Sequence, residues 1–241
     1  MGEGNNREDM ERIDNESLLE YSMGEGVWAF STRRCSQMPC NVLTAKQVHG
    51  CKVAVIDEMP TPGLELDGYD AIVTGVRGLA IGVRTADCVP VLMYDSLKGV
   101  IAAVHSGWRG TVQRICQKTI FTMRMRFGSS PADIVAVLGP SIGRDSYQVG
   151  EEVVGILKEQ GFPLNEIWYF ASGDASQDRS LGHHIDIKAA NRFLLEESGI
   201  PSRSIYDCGI DTFTAPAFFS ARRETIMTGR TVSSIMLLNN K

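Results

Sequence analysis

Apolar residues along this chain follow two spacings, and the first change from strand to helix spacing comes near residue 110. Before it they form short β-branched runs of strand length. These are "KVAVID" (52–57), "AIVT" (71–74), "LAIGVRT" (79–85), "VPVLMYD" (89–95) and "GVIAAVH" (99–105). Between the first two, Pro62, Gly63 and Gly68 mark a turn-rich stretch. After it the spacing becomes helical. In 111–128, Val112, Ile115, Ile120, Met123 and Phe127 fall close to one face, and Gly128 offers a stop. Residues 149–161 and 186–200 predict two more helices, each closed by a glycine or followed by one. "DIVAVLGPSIG" (133–143) predicts a strand running into a Gly/Pro loop, and 171–182 a polar loop. "SIYDCG" predicts a short strand, residues 215–219 a turn or short helix, and 220–230 a basic loop. "TVSSIMLL" predicts a final strand. No repeat or low-complexity linker divides the chain. The pattern predicts one domain of mixed strands and helices over 23–241, with a flexible N-terminal segment over 1–22.

Composition narrows the function classes. With 43% hydrophobic and 22% charged residues the chain can build a core. A net charge of −5 argues against a nucleic-acid or anionic-membrane surface. No apolar run reaches the length of a membrane span, and the acidic N-terminus lacks a secretion-signal pattern. Six cysteines are scattered with no CxxC pair, which fits a reducing cytoplasm better than a disulfide scaffold.

Three residues could hold a metal: His49 after "KQV", Cys88 in "TADCVP" between two predicted strands, and His105 at the end of the next. Two His and one Cys suit zinc with an open fourth position. Taken from spacing alone, a hydrogen-bonded structural histidine and a core cysteine are the simpler explanation of the same residues. The loop after His105 adds a separate feature. Gly107 and Gly110 let backbone approach a ligand, a helix starting near Thr111 aims N–H groups at the loop, and Arg109 adds charge. That is an anion seat, unless Trp108 packs in the core and Arg109 is a plain surface residue.

The motifs "KQVHG", "DGYDAIVTG", "VRTADCVPVLMYD", "AAVHSGWRGT", "LGPSIG", "YQVGEEV", "FFSARR" and "TGR" occur in order. Together they resemble the laccase-domain family, long labelled multicopper polyphenol oxidase-like, whose members are regarded as zinc-dependent purine nucleoside phosphorylases with additional adenosine deaminase activity. The resemblance runs from about residue 27 to 238. It implies an α+β fold, a layered α/β/β sandwich with mixed sheets. It also implies a Zn2+ site on His49, Cys88 and His105, with copper as the alternative from the older label. The implied partners are a purine nucleoside and phosphate; the expected assembly is a monomer or homodimer, a choice the sequence leaves open.

The chain departs from the family pattern in a short segment before "QVHG", in Ser146 and near Asp211 where many relatives carry cysteine, and in Ala221 where most have His or Tyr.

Phosphorolysis needs an anion holder and help for the departing base. Arg109, Arg222, Arg223 and Arg230 are candidates for the first, although a solvated turn explains Arg222 as well. Gln47 and Arg84 could orient substrate or phosphate, or Gln47 could support His49. Asp87, beside Cys88, is either a proton shuttle or a turn cap. The adjacent His183 and His184 point opposite ways on an extended chain, and Asp67 and Asp70 are explained by a turn. Other function classes remain at this point: a cysteine hydrolase with Cys88 as nucleophile and His105 as base, a non-catalytic metal- or nucleoside-binding relative, and copper-dependent phenol oxidation. The usual zinc deaminase signature is absent.

Overall fold

A computed structural model describes residues 12–14, 17–172 and 181–239. Its strands form three sheets. The first has six strands in the order β1-β2-β3-β15-β7-β4: β1 (Arg12–Asp14), β2 (Leu18–Tyr21), β3 (Val27–Thr32), β15 (Thr231–Leu237), β7 (Ala80–Thr85) and β4 (Val42–Thr44). The second has the order β14-β10-β8-β9-β6-β5: β14 (Ile205–Asp207), β10 (Ile134–Leu138), β8 (Val89–Asp95), β9 (Val100–Ser106), β6 (Ala71–Thr74) and β5 (Val53–Ile56). A small third sheet joins β11 (Gln148–Val149), β13 (Gly182–Ile185) and β12 (Trp168–Ala171). Parallel and antiparallel pairs coexist in the two large sheets.

The second sheet is the middle layer, and strand alternation explains why. On one face Ile72, Leu92, Tyr94, Ile101 and Ala103 pack against Leu19, Ala29, Ile81, Val83 and Ile235 of the first sheet. On the other, Val73, Val91, Met93, Ala102 and Val104 pack against helices. Those are α1 (Trp108–Val112), α2 (Ile115–Phe127), α3 (Glu151–Glu159), α4 (Leu164–Ile167) and α5 (Ile187–Glu197). Strands buried on both faces read as the unbroken apolar runs seen in the sequence. Leu92 and Ile101 are wholly buried, each contributing about 1.5–3 kcal/mol. The result is the expected α/β/β sandwich. Among the described residues no helix is long and apolar enough to cross a membrane.

The structure corrects several expected boundaries. The helix over 111–128 is two helices, because Arg114 adopts a left-handed conformation (φ 63°) between α1 and α2. The Arg114 side chain bonds Gln117, Glu197 and the Gln160 carbonyl, which holds the break in place. Gly128 does end α2, at φ 70°. Strands β2 and β4 are too short to show in the pattern, and β3, apolar over 27–30, is a strand the expectation did not include. The flexible segment expected over 1–22 is corrected within its described part, since β1 and β2 extend the first sheet and Leu18, Leu19 and Tyr21 are buried. Residues 1–11, 15 and 16 lie outside the described residues, as do 173–180 of the expected polar loop.

Two crossings between the large sheets occur at the same end of the sandwich. β4 of the first sheet leads through 45–52 to β5 of the second, and β7 leads through 86–88 to β8. β9 ends there too, and so do β10 and β14.

Candidate metal centre

The two crossings carry His49 and Cys88, and the end of β9 carries His105. Strand alternation puts Cys88 and His105 on the same face of the middle sheet, and Pro90 pairs with His105 across β8 and β9. Both crossing loops turn through left-handed residues, His49 at φ 60° and Asp87 at φ 88°. One ligand atom from each of His49, Cys88 and His105 lies within 4.8 Å of the others. The two imidazoles meet edge to face, with centroids 4.8 Å apart. His105 is buried, Cys88 half-buried and His49 exposed, so the group opens to solvent on one side.

Backbone packs closely around this group. A Cβ on Gly107 would stand 2.9 Å from Cys88 Sγ and 3.5 Å from His49 Cδ2. A Cβ on Gly110 would stand 3.2 Å from the Gly50 carbonyl oxygen. Glycine is required at 107 for proximity, since its φ of −76° suits any residue. Behind the loop, Ser106, Thr111, Asn191 and Cys116 form a wholly buried polar network. Asn191 Oδ1 lies 2.7 Å from Ser106 Oγ and 3.2 Å from Cys116 Sγ, and Asn191 Nδ2 donates to Thr111 Oγ1 and the Ile187 carbonyl.

His105 Nδ1 lies 2.8 Å from Asp70 Oδ1. The same carboxylate accepts the backbone N–H groups of Val48, His49 and Gly50 at 3.3, 2.9 and 2.7 Å. Asp70 precedes β6, where Ala71 pairs with Val104 of β9, which places it beside His105. The sequence reading assigned Asp70 only to a turn. The signal that could have found it is an aspartate directly before an apolar strand, and it becomes informative only once the pairing of β6 with β9 is known.

The electrostatics follow from burial opposed by charge. Burial raises the Cys88 pKa, but hydrogen bonds from His105 and His49 outweigh it and bring the thiol down to about 6. Burial lowers the His105 pKa, and Asp70 and Cys88 outweigh that and hold it at about 9. Asp70 is disfavoured as an anion by burial, yet its bonds to His105 and the Gly50 and Val48 amides pull its pKa below the usual range. The metal-free pocket is therefore a thiolate beside an imidazolium. Two imidazole nitrogens and one thiolate, close enough for arms of about 2.0–2.3 Å after a small inward adjustment, form a donor set that fits zinc. With Asp70 behind it, a divalent ion would be charge-balanced. Among the described residues this is the one such group.

The other expected site residues divide into two sets. Gln47 bonds both ways to the backbone of Arg84, Nε2 donating to the carbonyl and Oε1 accepting the N–H, each at 2.8 Å. It pins the His49 loop to the end of β7. Arg84 and Arg109 are exposed, and the Arg109 guanidinium lies 4.5 Å from the Trp108 ring centre. Asp87 accepts from Thr212 Oγ1 at 2.6 Å and from the Arg222 N–H at 2.7 Å, so it ties the basic loop down.

Arg223 and Arg230, expected as anion holders, have their guanidinium groups engaged. Arg223 bonds the carbonyls of Thr212, Phe213, Ala215 and Phe218, and Arg230 bonds those of Ile226, Thr228 and Gly229. The long helix expected to start near Thr111 is the five-residue α1, starting at Trp108. The Thr111 N–H already donates to the Gly107 carbonyl. The helical part of the expected anion seat is thus small.

His183 and His184 lie in β13 on opposite faces: His183 stacks on Trp168 and accepts from its indole N–H, and His184 stacks on Tyr169. Ser146 donates to Asp211, which also accepts the Gly143 and Phe213 N–H groups, bracing the "GPSIG" loop. Tyr147, which the sequence did not single out, feels the charge of Cys88. Burial raises its hydroxyl pKa to about 12, with the Cys88 charge adding to the effect, and the Arg222 guanidinium lies over its ring at 5.4 Å.

Comparisons with known proteins bear on the family and the fold. The family model described as multi-copper polyphenol oxidoreductase laccase matches residues 29–238. Adenosine deaminase RL5, from an unknown prokaryotic organism, is 41% identical over 206 residues, which is 81% of this chain and 74% of that protein. A purine nucleoside phosphorylase of Bacteroides thetaiotaomicron is 42% identical over 173 residues, 71% of this chain but 62% of its own length. The match therefore spans less than two thirds of that phosphorylase. The crystal structure of YlmD from Geobacillus stearothermophilus superposes with a TM-score of 0.82 at 24% identity, covering 96% of this chain and 100% of that one. YfiH of Bacillus licheniformis gives 0.79 at 25% identity, covering 94% and 98%.

Proposed function

This chain belongs to the multi-copper polyphenol oxidoreductase laccase family, and from that premise we propose that it is a zinc-dependent purine nucleoside phosphorylase. It splits adenosine, inosine or methylthioadenosine with phosphate into free base and (methylthio)ribose 1-phosphate, with adenosine deamination as a second activity. The observation that carries this reading is the convergence of His49, Cys88 and His105 at the sheet crossings, open to solvent on the His49 side. The names of the relatives supply the purine.

His49, Cys88 and His105 would hold the ion. Zinc supplies a Lewis acid and, with an open position, an acidified water. The remaining work falls to the chain itself. Arg84 and Arg109 are exposed and would hold phosphate. Gln47 keeps the His49 loop in position through its two bonds to Arg84. Tyr147, protonated at neutral pH, can donate a hydrogen bond to the departing base. Asp87 holds the Arg222 loop beside Cys88, and a proton-shuttle role would have to share a carboxylate already bonded to Thr212 and Arg222. One three-donor group among the described residues favours zinc over the several copper centres that phenol oxidation needs. Six free cysteines are consistent with a cytoplasmic setting.

One observation favours a second reading. Cys88, His105 and Asp70 are connected in the order nucleophile, base and orienting carboxylate, as in a cysteine hydrolase. That reading leaves His49 without a task. The test is to purify the chain without added metal, measure zinc, and incubate with each nucleoside plus phosphate. About one zinc per chain and phosphate-dependent release of base support the proposal, with Cys88→Ala abolishing both. Metal-free protein with an alkylation-sensitive hydrolysis overturns it in favour of the second reading. Bound zinc with no base released favours a non-catalytic binding relative.

A further inference from the structure

Asp70 is wholly buried, and its two oxygens face four donors. Oδ1 receives His105 Nδ1 and the His49 N–H, while Oδ2 receives the Val48 and Gly50 N–H groups. An ionised carboxylate has about four acceptor sites and no donor, so this set fills it. The three amides can only donate. The imidazole must also present Nδ1–H to the carboxylate, which leaves Nε2 as the ring atom with a lone pair for a ligand.

One buried side chain therefore touches both histidine ligands by different routes. It sets the tautomer of His105 directly, and it clamps the left-handed turn at His49 through backbone. Gly50 belongs to the same arrangement, since a Cβ there would stand 3.3 Å from Asp70 Oδ2. The clamp joins two segments 21 residues apart in sequence, the His49 N–H and Asp70.

We infer that Asp70 is the positioning residue of the metal centre: it fixes His105 with Nε2 toward the ion and couples that orientation to the placement of His49. The inference rests on the metal-binding reading and not on the reaction. The side chain acts through its neighbours, and nothing requires it to touch substrate.

The chemistry of an amide supplies a specific test. Asparagine has nearly the shape of aspartate but only one acceptor oxygen, the other terminus being an NH₂ donor. In Asp70→Asn one of the two donor pairs must face that NH₂, so either the His105 side or the Val48–Gly50 side loses its acceptor. Loss of an outer partner of a metal-bound histidine typically weakens metal binding about 10–100-fold.

The experiment compares wild type, Asp70→Asn and Asp70→Glu, as full chains, by zinc affinity in a chelator competition and by the visible spectrum of the cobalt(II) form. The expected result is zinc binding about 10–100-fold weaker in Asp70→Asn, with an altered cobalt spectrum and a retained circular-dichroism signature. Asp70→Glu, which keeps four acceptor sites on a longer arm, should recover part of the loss. A folded Asp70→Asn that binds zinc as tightly as wild type with the same cobalt spectrum overturns the inference. Should the variants not fold, ¹⁵N NMR of the zinc-loaded wild type decides. A protonated Nδ1 and metal-shifted Nε2 on His105 support the inference, and the reverse assignment overturns it. None of these readouts involves nucleoside, so failure to release base would sink the proposed reaction and leave this inference standing. Failure of the wild type to bind zinc would sink the metal reading on which both depend.

Discussion

Gly107 lies so close to Cys88 that a Cβ on it would stand 2.9 Å from the sulfur. The approach is between one loop and the residue that ends a sheet crossing. Gly107→Ala should push the thiolate away from His49 and His105 at a cost of about 1–3 kcal/mol. Zinc titration should show affinity reduced by about 10–100-fold, with the fold retained by circular dichroism.

The thiolate itself is testable in metal-free protein. With the Cys88 pKa near 6, against an ordinary value of 9.0, the thiol is ionised at neutral pH. Burial opposes this and the two imidazoles overcome it. Alkylation of Cys88, followed by peptide mass spectrometry, should rise through about pH 6, while the buried Cys116, pushed up to about 12, stays unmodified. Saturating zinc should protect Cys88.

The arginines should separate by experiment as they do by geometry. Arg84→Ala and Arg109→Ala remove exposed cations and should raise KM for phosphate about 10–100-fold with little change in Tm. Arg223→Ala instead strips donors from four backbone carbonyls. It should cost about 2–3 kcal/mol and lower Tm by roughly 4–12 °C for a chain of this size. Steady-state kinetics with phosphate varied and a thermal melt distinguish the two classes.

Asn191→Leu tests the polar network behind the loop. The asparagine bridges α5 to Ser106, Thr111 and Cys116 at zero exposure. Its loss takes away the Ser106 acceptor and one Thr111 donor, leaving the two hydroxyls only each other and the Gly107 carbonyl, at about 1–3 kcal/mol. The melt should move down, and zinc affinity should fall because Ser106 and Thr111 frame the Gly107 turn. An unchanged melt would show that the network does not hold the loop.

Much of the middle layer was legible in sequence. Strands β6, β8 and β9 are unbroken apolar runs because both faces are buried, and that pattern needs no partner to be seen. The short strands of the first sheet were not legible. Leu18–Tyr21 and Val42–Thr44 are three or four residues long, and pairing partners far away in the chain make them strands. The break at Arg114 was hidden for a similar reason: its left-handed turn is held by Glu197 and Gln160, remote in sequence.

The same division runs through the site. Residue types and local motifs by themselves determined that His49, Cys88 and His105 were candidate ligands, because only a few side chains can do that chemistry. They also determined the glycines of the adjoining turn. Tertiary structure alone decided which charged groups serve them. Asp70, a turn residue in sequence, becomes the partner of His105 because β6 pairs with β9. Arg223 and Arg230, basic residues in a loop, are engaged by carbonyls of their own and neighbouring loops. The physical reason is that a hydrogen-bond partner is set by distance in space. Sequence spacing reports such distances only within a helix, a strand or a turn.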